Sequence, residues 1–331
     1  MNLLNIFKRK KSYMCPLLNT NLHFTSRNTL EPCCSAYIGP SMLDNLSEQN
    51  SIKPFVDNKI KYLEMFKSGV IPEGCKNCVH ITKYEPPRDN RIDKITLNHY
   101  TQCNCACIYC TQGNRTLEKI KEDENKPVLY NVLKFINELY DSKMINTDTL
   151  YVDFQGGNIS CLKNYEEIIN TFLNRGVGTI YIPTNNIIYM PVIERLLATD
   201  KGEMCTALDS GTRETYLKIK QVDKFDKSVE NLKKYIENAG NDHIIVKYII
   251  VNGYNDNLEE FKQFITLMHS IGVKIIVLDI DYRDIIDKDY TLPKQYYDIL
   301  HFAKKFCAEN NMHFGIPPYT EKVFEQGYSK H

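Results

Sequence analysis

The sequence predicts an α/β fold in which parallel strands alternate with helices, preceded by a small cysteine-rich metal-binding unit. Two observations carry this. From residue 94 onward, strand-like runs alternate six times with amphipathic helical stretches, the pattern of parallel strands with helices outside. Before that, cysteines gather at short spacings: nine of the twelve precede residue 111. The length of 331 residues holds one large α/β domain and a smaller one.

Composition narrows the function classes. Hydrophobic residues make up 43% and charged residues 25%, ordinary values for a globular chain. Lys+Arg and Asp+Glu both number 41, so no basic excess points to nucleic acid. No apolar run is long enough to span a bilayer. The start, residues 1–11, is a short apolar stretch followed by Lys8-Arg9-Lys10-Lys11, the reverse of a secretory signal, and reads as a basic tail. A cytoplasmic location is the default expectation. Clustered cysteines in such a chain favour metal binding over disulfides. Cys161, Cys205 and Cys307 are scattered and read as small buried apolar residues.

Residues 12–85 form the cysteine-rich unit. The run Cys15 to Phe24 alternates like a short strand, Ser26 to Thr29 turns, and Thr29 to Cys34 reads as the hairpin partner. A helix is expected over Asp57–Ser68, with Ile60, Leu63, Met65 and Phe66 on its apolar face and Gly69 beyond its end. Cys75-Lys-Asn-Cys78 closes the unit. Its apolar content is low, so a bound metal would supply part of its stability. Residues 85–90 read as a linker.

The second domain spans 92–310. Its strands are expected at Lys94–His99, Thr149–Gln155, Thr179–Thr184, Glu203–Leu208, Ile244–Val251 and Lys274–Ile280. The first helix carries Leu129, Val132, Leu133, Ile136 and Leu139 on one face. Others are expected at Tyr165–Asn174, Met190–Ala198, Asp226–Asn238, Leu258–Ser270 and Lys294–Glu309, leaving 311–331 as a C-terminal tail. A partial barrel and a doubly wound sheet both satisfy this alternation. In both, functional groups gather at the carboxyl ends of strands. No Gly-rich phosphate loop of the Rossmann or P-loop kind is visible, which disfavours a nucleotide dehydrogenase or NTPase.

Three loops follow strand ends. Cys103-Asn-Cys105-Ala-Cys107-Ile-Tyr-Cys110 follows the first, and three of its thiols keep the spacing Cys-x3-Cys-x2-Cys. Thiolates are soft ligands for iron–sulfur clusters or zinc. Gln155-Gly156-Gly157-Asn158 follows the second strand, and Asp209-Ser210-Gly211 the fourth.

These features resemble the radical S-adenosylmethionine (SAM) superfamily over roughly Ile92 to Glu309. The cysteine loop is the specific part, with Tyr109 at the family's aromatic position. Gly156-Gly157 matches the start of its Gly-Gly-Glu segment, where Asn158 replaces the Glu. Thr184-Asn185 matches its third-strand end, and Ala207-Leu208-Asp209-Ser210 its fourth-strand segment. The resemblance implies a partial (β/α)6 TIM-like barrel. It also implies a [4Fe-4S] cluster on Cys103, Cys107 and Cys110, with Cys105 a bystander, and one iron open to SAM. Tyr109, Gly156, Gly157, Asn158, Thr184, Asn185, Asp209 and Ser210 would line the SAM site. Reductive cleavage of SAM would yield a 5′-deoxyadenosyl radical that abstracts hydrogen from a substrate, with a one-electron donor such as flavodoxin or ferredoxin as partner. The cysteines of 12–85 resemble the auxiliary-cluster domains (SPASM or twitch) of this superfamily. That implies a second [4Fe-4S] cluster on Cys15, Cys33, Cys75 and Cys78, with Cys34 as rival to Cys33 and structural zinc as the other metal. The missing Glu keeps one alternative open: a non-catalytic zinc or iron–sulfur protein with a degenerate SAM site.

Strand parity suggests what the substrate meets. Ile276, Leu278 and Ile280 share one face; Val277, Asp279, Asp281 and Arg283 share the other. Lys247 lies opposite Val246, Tyr248 and Ile250, and Asp153 and Gln155 sit likewise. The expected interior is polar. Asp153, Lys247, Asp279, Asp281 and Arg283 would either meet a polar substrate, sugar-like or peptide, or form an internal ion-pair network. His99 reads as a core residue.

Overall fold

The computed structural model describes residues 12–33, 43–76, 78, 80–83, 85, 89, 91–110, 128–286 and 291–328. The basic tail 1–11 and Cys34 lie outside them. In chain order the elements begin with β1 (Tyr13–Met14), α1 (Pro16–Thr20), β2 (Asn21–Thr25), β3 (Leu30–Glu31) and α2 (Lys53–Lys67). A 3-10 turn (Glu73–Cys75), β4 (Thr82–Lys83), β5 (Lys94–Asn98), α3 (Val132–Asp141), β6 (Tyr151–Phe154), α4 (Tyr165–Arg175) and β7 (Thr179–Pro183) follow. Then come α5 (Pro191–Leu197), β8 (Gly202–Ala207), α6 (Arg213–Lys220), α7 (Phe225–Ala239), β9 (Ile244–Ile250) and α8 (Leu258–Ser270). The chain ends with β10 (Ile275–Ile280), α9 (Tyr282–Ile286), α10 (Lys294–Glu309), β11 (His313–Gly315) and α11 (Pro318–Tyr328).

The chain divides into two units. The first takes the described residues of Met1–Thr101, Pro127–Gly156 and Glu167–Ile180; the second takes those of Gln102–Lys126, Gly157–Glu166 and Tyr181–His331. In the first, β2 pairs antiparallel with β3 and parallel with β5, and β5 pairs parallel with β6. One face of these strands is apolar: Leu22, Phe24, Ile95, Leu97, Val152 and Phe154 are all buried. It packs on α3, where Phe24 and Phe135 stand 6.4 Å apart. Burying each such side chain contributes roughly 1.5–3 kcal/mol, so alternation along the strand fixes register.

In the second unit β8, β9, β10 and β11 pair in that order, all parallel. Val246, Tyr248 and Ile250 of β9 and Ile276, Leu278 and Ile280 of β10 are buried. Tyr248 meets Phe261 and Phe264 of α8 at 5.0 and 4.7 Å. Asn257 caps α8 by accepting from the Glu260 N–H at 2.9 Å. The α/β fold with a parallel sheet is thus as the sequence implies.

Four expectations need correction. Residues 15–20 are not strand, because Cys15 accepts the Leu18 N–H and Pro16 opens α1. Helix α2 starts at Lys53 rather than Asp57, since Pro54 fits the first turn of a helix, where its missing N–H is no loss. The stretch 12–85 does not stand apart, because β2 joins β5 in one unit. Nor is 311–331 a plain tail: it holds β11, paired to β10, and α11.

Candidate active site

The second unit carries the cysteine loop. Two main-chain bonds fasten it to the end of α6: Ala106 N–H to the Lys220 carbonyl at 3.1 Å and Ile108 N–H to the Ile219 carbonyl at 3.0 Å. Asn158 N–H donates to the Gln102 carbonyl at 2.8 Å, and a turn joins Cys110 N–H to the Cys107 carbonyl at 3.0 Å. The loop therefore presents its thiols from a fixed backbone. Cys103, Cys107 and Cys110 are half-buried and Cys105 is buried.

Beneath the loop lies a buried charged triad. Lys220 pairs with Asp209, their side chains only 2% and 0% exposed. Lys220 Nζ also donates to the Tyr109 hydroxyl at 2.6 Å, and that hydroxyl donates to Asp209 Oδ2 at 2.5 Å. Asp209 Oδ1 accepts from Ile249 N–H at 2.7 Å, and its carbonyl from Asn255 Nδ2 at 2.8 Å. Asp209 adopts φ 60°, a left-handed conformation these bonds enforce. Burial works against the Lys220 ammonium, yet the Asp209 carboxylate outweighs it and holds the amine protonated well above its ordinary range. Burial, followed by the nearby Asp209 charge, keeps Tyr109 in its phenol form. Asp209 is thus a brace tying the loop to β9. Ser210 is fully buried and bonds back to the Leu208 carbonyl at 3.4 Å, while Thr212 caps α6.

The Asn158 carboxamide is fully employed. Its Oδ1 accepts from Asn185 N–H at 2.9 Å and from the Thr184 hydroxyl at 3.2 Å, and its Nδ2 donates to Ser160 Oγ. The neutral side chain thereby sets the Thr184-Asn185 corner. From that corner the Asn185 amide reaches the cysteine loop, 3.2 Å from Cys105 Sγ and 3.9 Å from Cys103 Sγ. The Cys105 thiol stands within hydrogen-bond reach of both Cys103 and Cys107 and, with its one S–H, donates to one of them at a time. Donation to Cys107, helped by the Lys220 charge and opposed by burial, brings the Cys107 thiol below its usual value. A lowered thiol pKa favours the thiolate form a metal binds. Among the described residues, no three His, Cys, Asp or Glu side chains stand close enough to grip one metal ion as they are. The donor set nevertheless fits an iron–sulfur cluster: three soft ligands on one anchored loop, with a fixed cation behind it.

The same unit shows the polar side of β9 and β10. Lys247 pairs with Asp279 at 3.1 Å. Tyr319 donates to the same carboxylate at 2.8 Å, and Thr320 also bonds it. The alternative of an internal ion pair is what the geometry forms here. Period-2 parity does not extend to Arg283, because β10 ends at Ile280 and Arg283 lies on α9. Its side chain is 55% exposed and pairs with the buried Asp281.

In the first unit, Gly156 takes φ 104°, and a Cβ there would overlap the Tyr100 carbonyl and the Asn98 side chain, so only glycine fits. Asp153 is buried; its Oδ2 accepts from Gln155 at 2.8 Å and lies 3.6 Å from Lys94, while its Oδ1 has no hydrogen-bond partner. Burial raises its pKa against the pull of Lys94. His99 is a core residue, packed edge-on against Tyr100 at 5.3 Å and held neutral by burial, with its pKa lowered to about 3. The antiparallel β1–β4 pair (Met14 opposite Thr82) carries Cys15 toward the Cys75–Cys78 turn, where Cys78 N–H bonds the Cys75 carbonyl at 3.0 Å. Burial raises both the Cys15 and Cys75 thiols, with smaller contributions from the neighbouring Cys78. Cys15, Cys75 and Cys78 thus share one neighbourhood, and Cys33 follows β3 beside His23.

The model of the Radical SAM superfamily matches residues 97–268, just over half of the chain. The chain belongs to the radical SAM superfamily. It is therefore an enzyme family member whose cofactors are a [4Fe-4S] cluster and SAM, and the matched span contains the Cys103–Cys110 loop and all the residues bonded to it above. A probable GTP 3′,8-cyclase of Saccharolobus islandicus is 26% identical over 186 residues, 56% of this chain and 55% of that one. Its counterpart in Saccharolobus solfataricus is 24% identical over 185 residues. The match thus spans about half the length of these relatives. Among solved structures, Streptococcus suis SuiB bound to precursor peptide SuiA is 12% identical with a TM-score of 0.51, covering 86% of this chain and 68% of that one. This likeness is one of fold. Cys15, Cys33, Cys75 and Cys78 precede the matched span.

Lys220 went unread in the sequence. A signal was present: Thr215, Tyr216, Ile219 and Lys220 share the buried face of α6, so a lysine occupies a core-facing slot. Its role at Tyr109, 111 residues away, has no local signature.

Proposed function

We propose that this chain is a radical SAM enzyme with a partial (β/α)6 barrel whose cluster is held by Cys103, Cys107 and Cys110. The observation that carries the reading is the cysteine loop itself, anchored to α6 and backed by the buried Lys220–Asp209 pair. Tyr109 is positioned by that pair, and Gly157, Asn158, Thr184 and Asn185 would line the SAM side. Asp209 and Ser210 act from beneath as supports. When bound, the cluster and SAM supply the one-electron chemistry that gives a 5′-deoxyadenosyl radical for hydrogen abstraction. This chain's residues keep the loop rigid and place fixed donors around it. An external one-electron donor, such as flavodoxin or ferredoxin, would supply the electron that SAM cleavage consumes.

The substrate is a polar molecule. Lys247, Asp279, Asp281 and Arg283 are engaged with one another and with Tyr319 and Thr320, and serve the fold instead. The GTP named for the Saccharolobus relatives and the peptide bound by SuiB are two polar candidates. Cys15, Cys33, Cys75 and Cys78 would hold an auxiliary [4Fe-4S] cluster in a SPASM- or twitch-like role; three of them already share one neighbourhood.

Anaerobic reconstitution with iron and sulfide, followed by dithionite and SAM, tests the reading. The expected product is 5′-deoxyadenosine. A Cys103→Ala/Cys107→Ala/Cys110→Ala variant should lose it while keeping the iron of the other site. Equal turnover by that variant would place the chemistry elsewhere.

A further inference from the structure

The extra cysteine of the loop is not idle. Cys105 is 1% exposed, and its thiol stands within hydrogen-bond reach of those of Cys103 and Cys107, two of the three proposed ligands. The Asn185 amide reaches the same sulfurs from outside the loop, at 3.2 Å from Cys105 and 3.9 Å from Cys103, and also bonds Asn104 Oδ1. Its orientation is fixed. Ile187 N–H donates to Asn185 Oδ1 at 3.3 Å, so the carbonyl end is taken and the NH2 end must face the thiols. The backbone is fixed too, since Asn185 N–H donates to Asn158 Oδ1, and Asn158 N–H to Gln102 at the base of the loop. Asn158, Asn185 and Cys105 therefore form one continuous chain of hydrogen bonds that ends on sulfur.

We propose that Asn185 and Cys105 are positioning residues for the redox centre: their N–H and S–H groups donate to the ligand sulfurs of Cys103 and Cys107 and raise the reduction potential of the cluster held there. The inference rests on the assignment of Cys103, Cys107 and Cys110 as ligands. Uptake of one electron from an external donor adds negative charge that spreads onto the ligand sulfurs. Hydrogen bonds to cluster sulfurs stabilise that reduced state, and partners behind the ligands tune a metal's potential in general. It also gives Asn158 a role other than that of a failed carboxylate: a neutral amide can both accept from Asn185 and donate to Ser160, which a carboxylate cannot do.

The test is a potentiometric titration of the full-length, anaerobically reconstituted protein, followed by electron paramagnetic resonance on the reduced signal that responds to added SAM. Iron content is measured in each sample. Cys105→Ala and Asn185→Ala should retain their iron and each become harder to reduce, by about tenfold in the one-electron equilibrium constant, which is ~59 mV. Cys105→Ser keeps a donor and should recover most of the shift. Potentials unchanged in both alanine variants at full iron loading overturn the inference. So does loss of the SAM-responsive cluster in Cys105→Ala with its retention in Cys103→Ala, which would make Cys105 a ligand. If no signal of the unaltered protein responds to SAM, the ligand assignment fails and the inference with it.

Discussion

Replacing Lys220 by Met removes one partner of an ion pair that has almost no contact with water, the two side chains being 2% and 0% exposed. Asp209 would keep Ile249 N–H and the Tyr109 hydroxyl, but lose the Lys220 charge. Breaking a buried pair from one side typically costs about 3–5 kcal/mol, because the remaining charge stays buried without compensation. The Lys220 main chain still holds Ala106, so the loss is confined to the side-chain triad. A second substitution, Asp209→Asn, removes the stranded charge while preserving acceptance from Ile249. The double variant should therefore be more stable than Lys220→Met alone, by about 1–3 kcal/mol in a double-mutant cycle. Urea unfolding, read by a probe in the second unit such as the loop cysteines' reactivity, measures both quantities. A Lys220→Met variant within ~1 kcal/mol of the parent, or a double variant less stable than the single, would refute the reasoning.

Other outcomes follow from the same geometry. Gly156→Ala forces a Cβ into the Tyr100 carbonyl at φ 104° and should cost ~1–3 kcal/mol of stability, read by urea unfolding. Lys59 is buried, donates to the Asn19 carbonyl at 2.5 Å, and has its pKa lowered by burial to about 8. The unfolded chain therefore holds that proton to higher pH than the folded one, so this residue's penalty is full below about pH 8 and stability rises from there to about pH 10.5. The rise is worth about 3 kcal/mol, and Lys59→Met should abolish it in pH-dependent unfolding curves. Arg283→Met should leave turnover unchanged, since the guanidinium is largely exposed and only its Asp281 pair is lost; reduced turnover in a folded variant would restore Arg283 to the substrate site. Cys15→Ala/Cys75→Ala should remove the iron of one cluster and leave SAM cleavage in place, with metal analysis for zinc deciding the metal.

Much of the second unit was legible because its signals are local. The alternation of Ile244 to Ile250 and of Ile275 to Ile280 gives period 2 directly, and helices such as Leu258–Ser270 carry both their apolar face and their cap in the sequence. The cysteine spacing and its place after β5 were legible for the same reason. What escaped depends on contacts between residues far apart in sequence. Asp209 and Ser210 carry a motif that suggests ligand binding, yet Asp209 spends its oxygens on Lys220, Tyr109 and Ile249. Period-2 parity carried past Ile280 puts Arg283 on a strand face, but β10 ends there and gives way to α9. The short β11 has only three residues and no alternation to read; it forms because β10 offers it a partner. Cys105 looked surplus by ligand count, and only the positions of Asn185 and its neighbouring thiols show a use for it.

The most direct test of the account is formation of 5′-deoxyadenosine by the reconstituted protein under strictly anaerobic reduction with SAM. The account predicts product from the unaltered chain and none from the Cys103→Ala/Cys107→Ala/Cys110→Ala variant. A fully iron-loaded, folded protein that leaves SAM intact would contradict it.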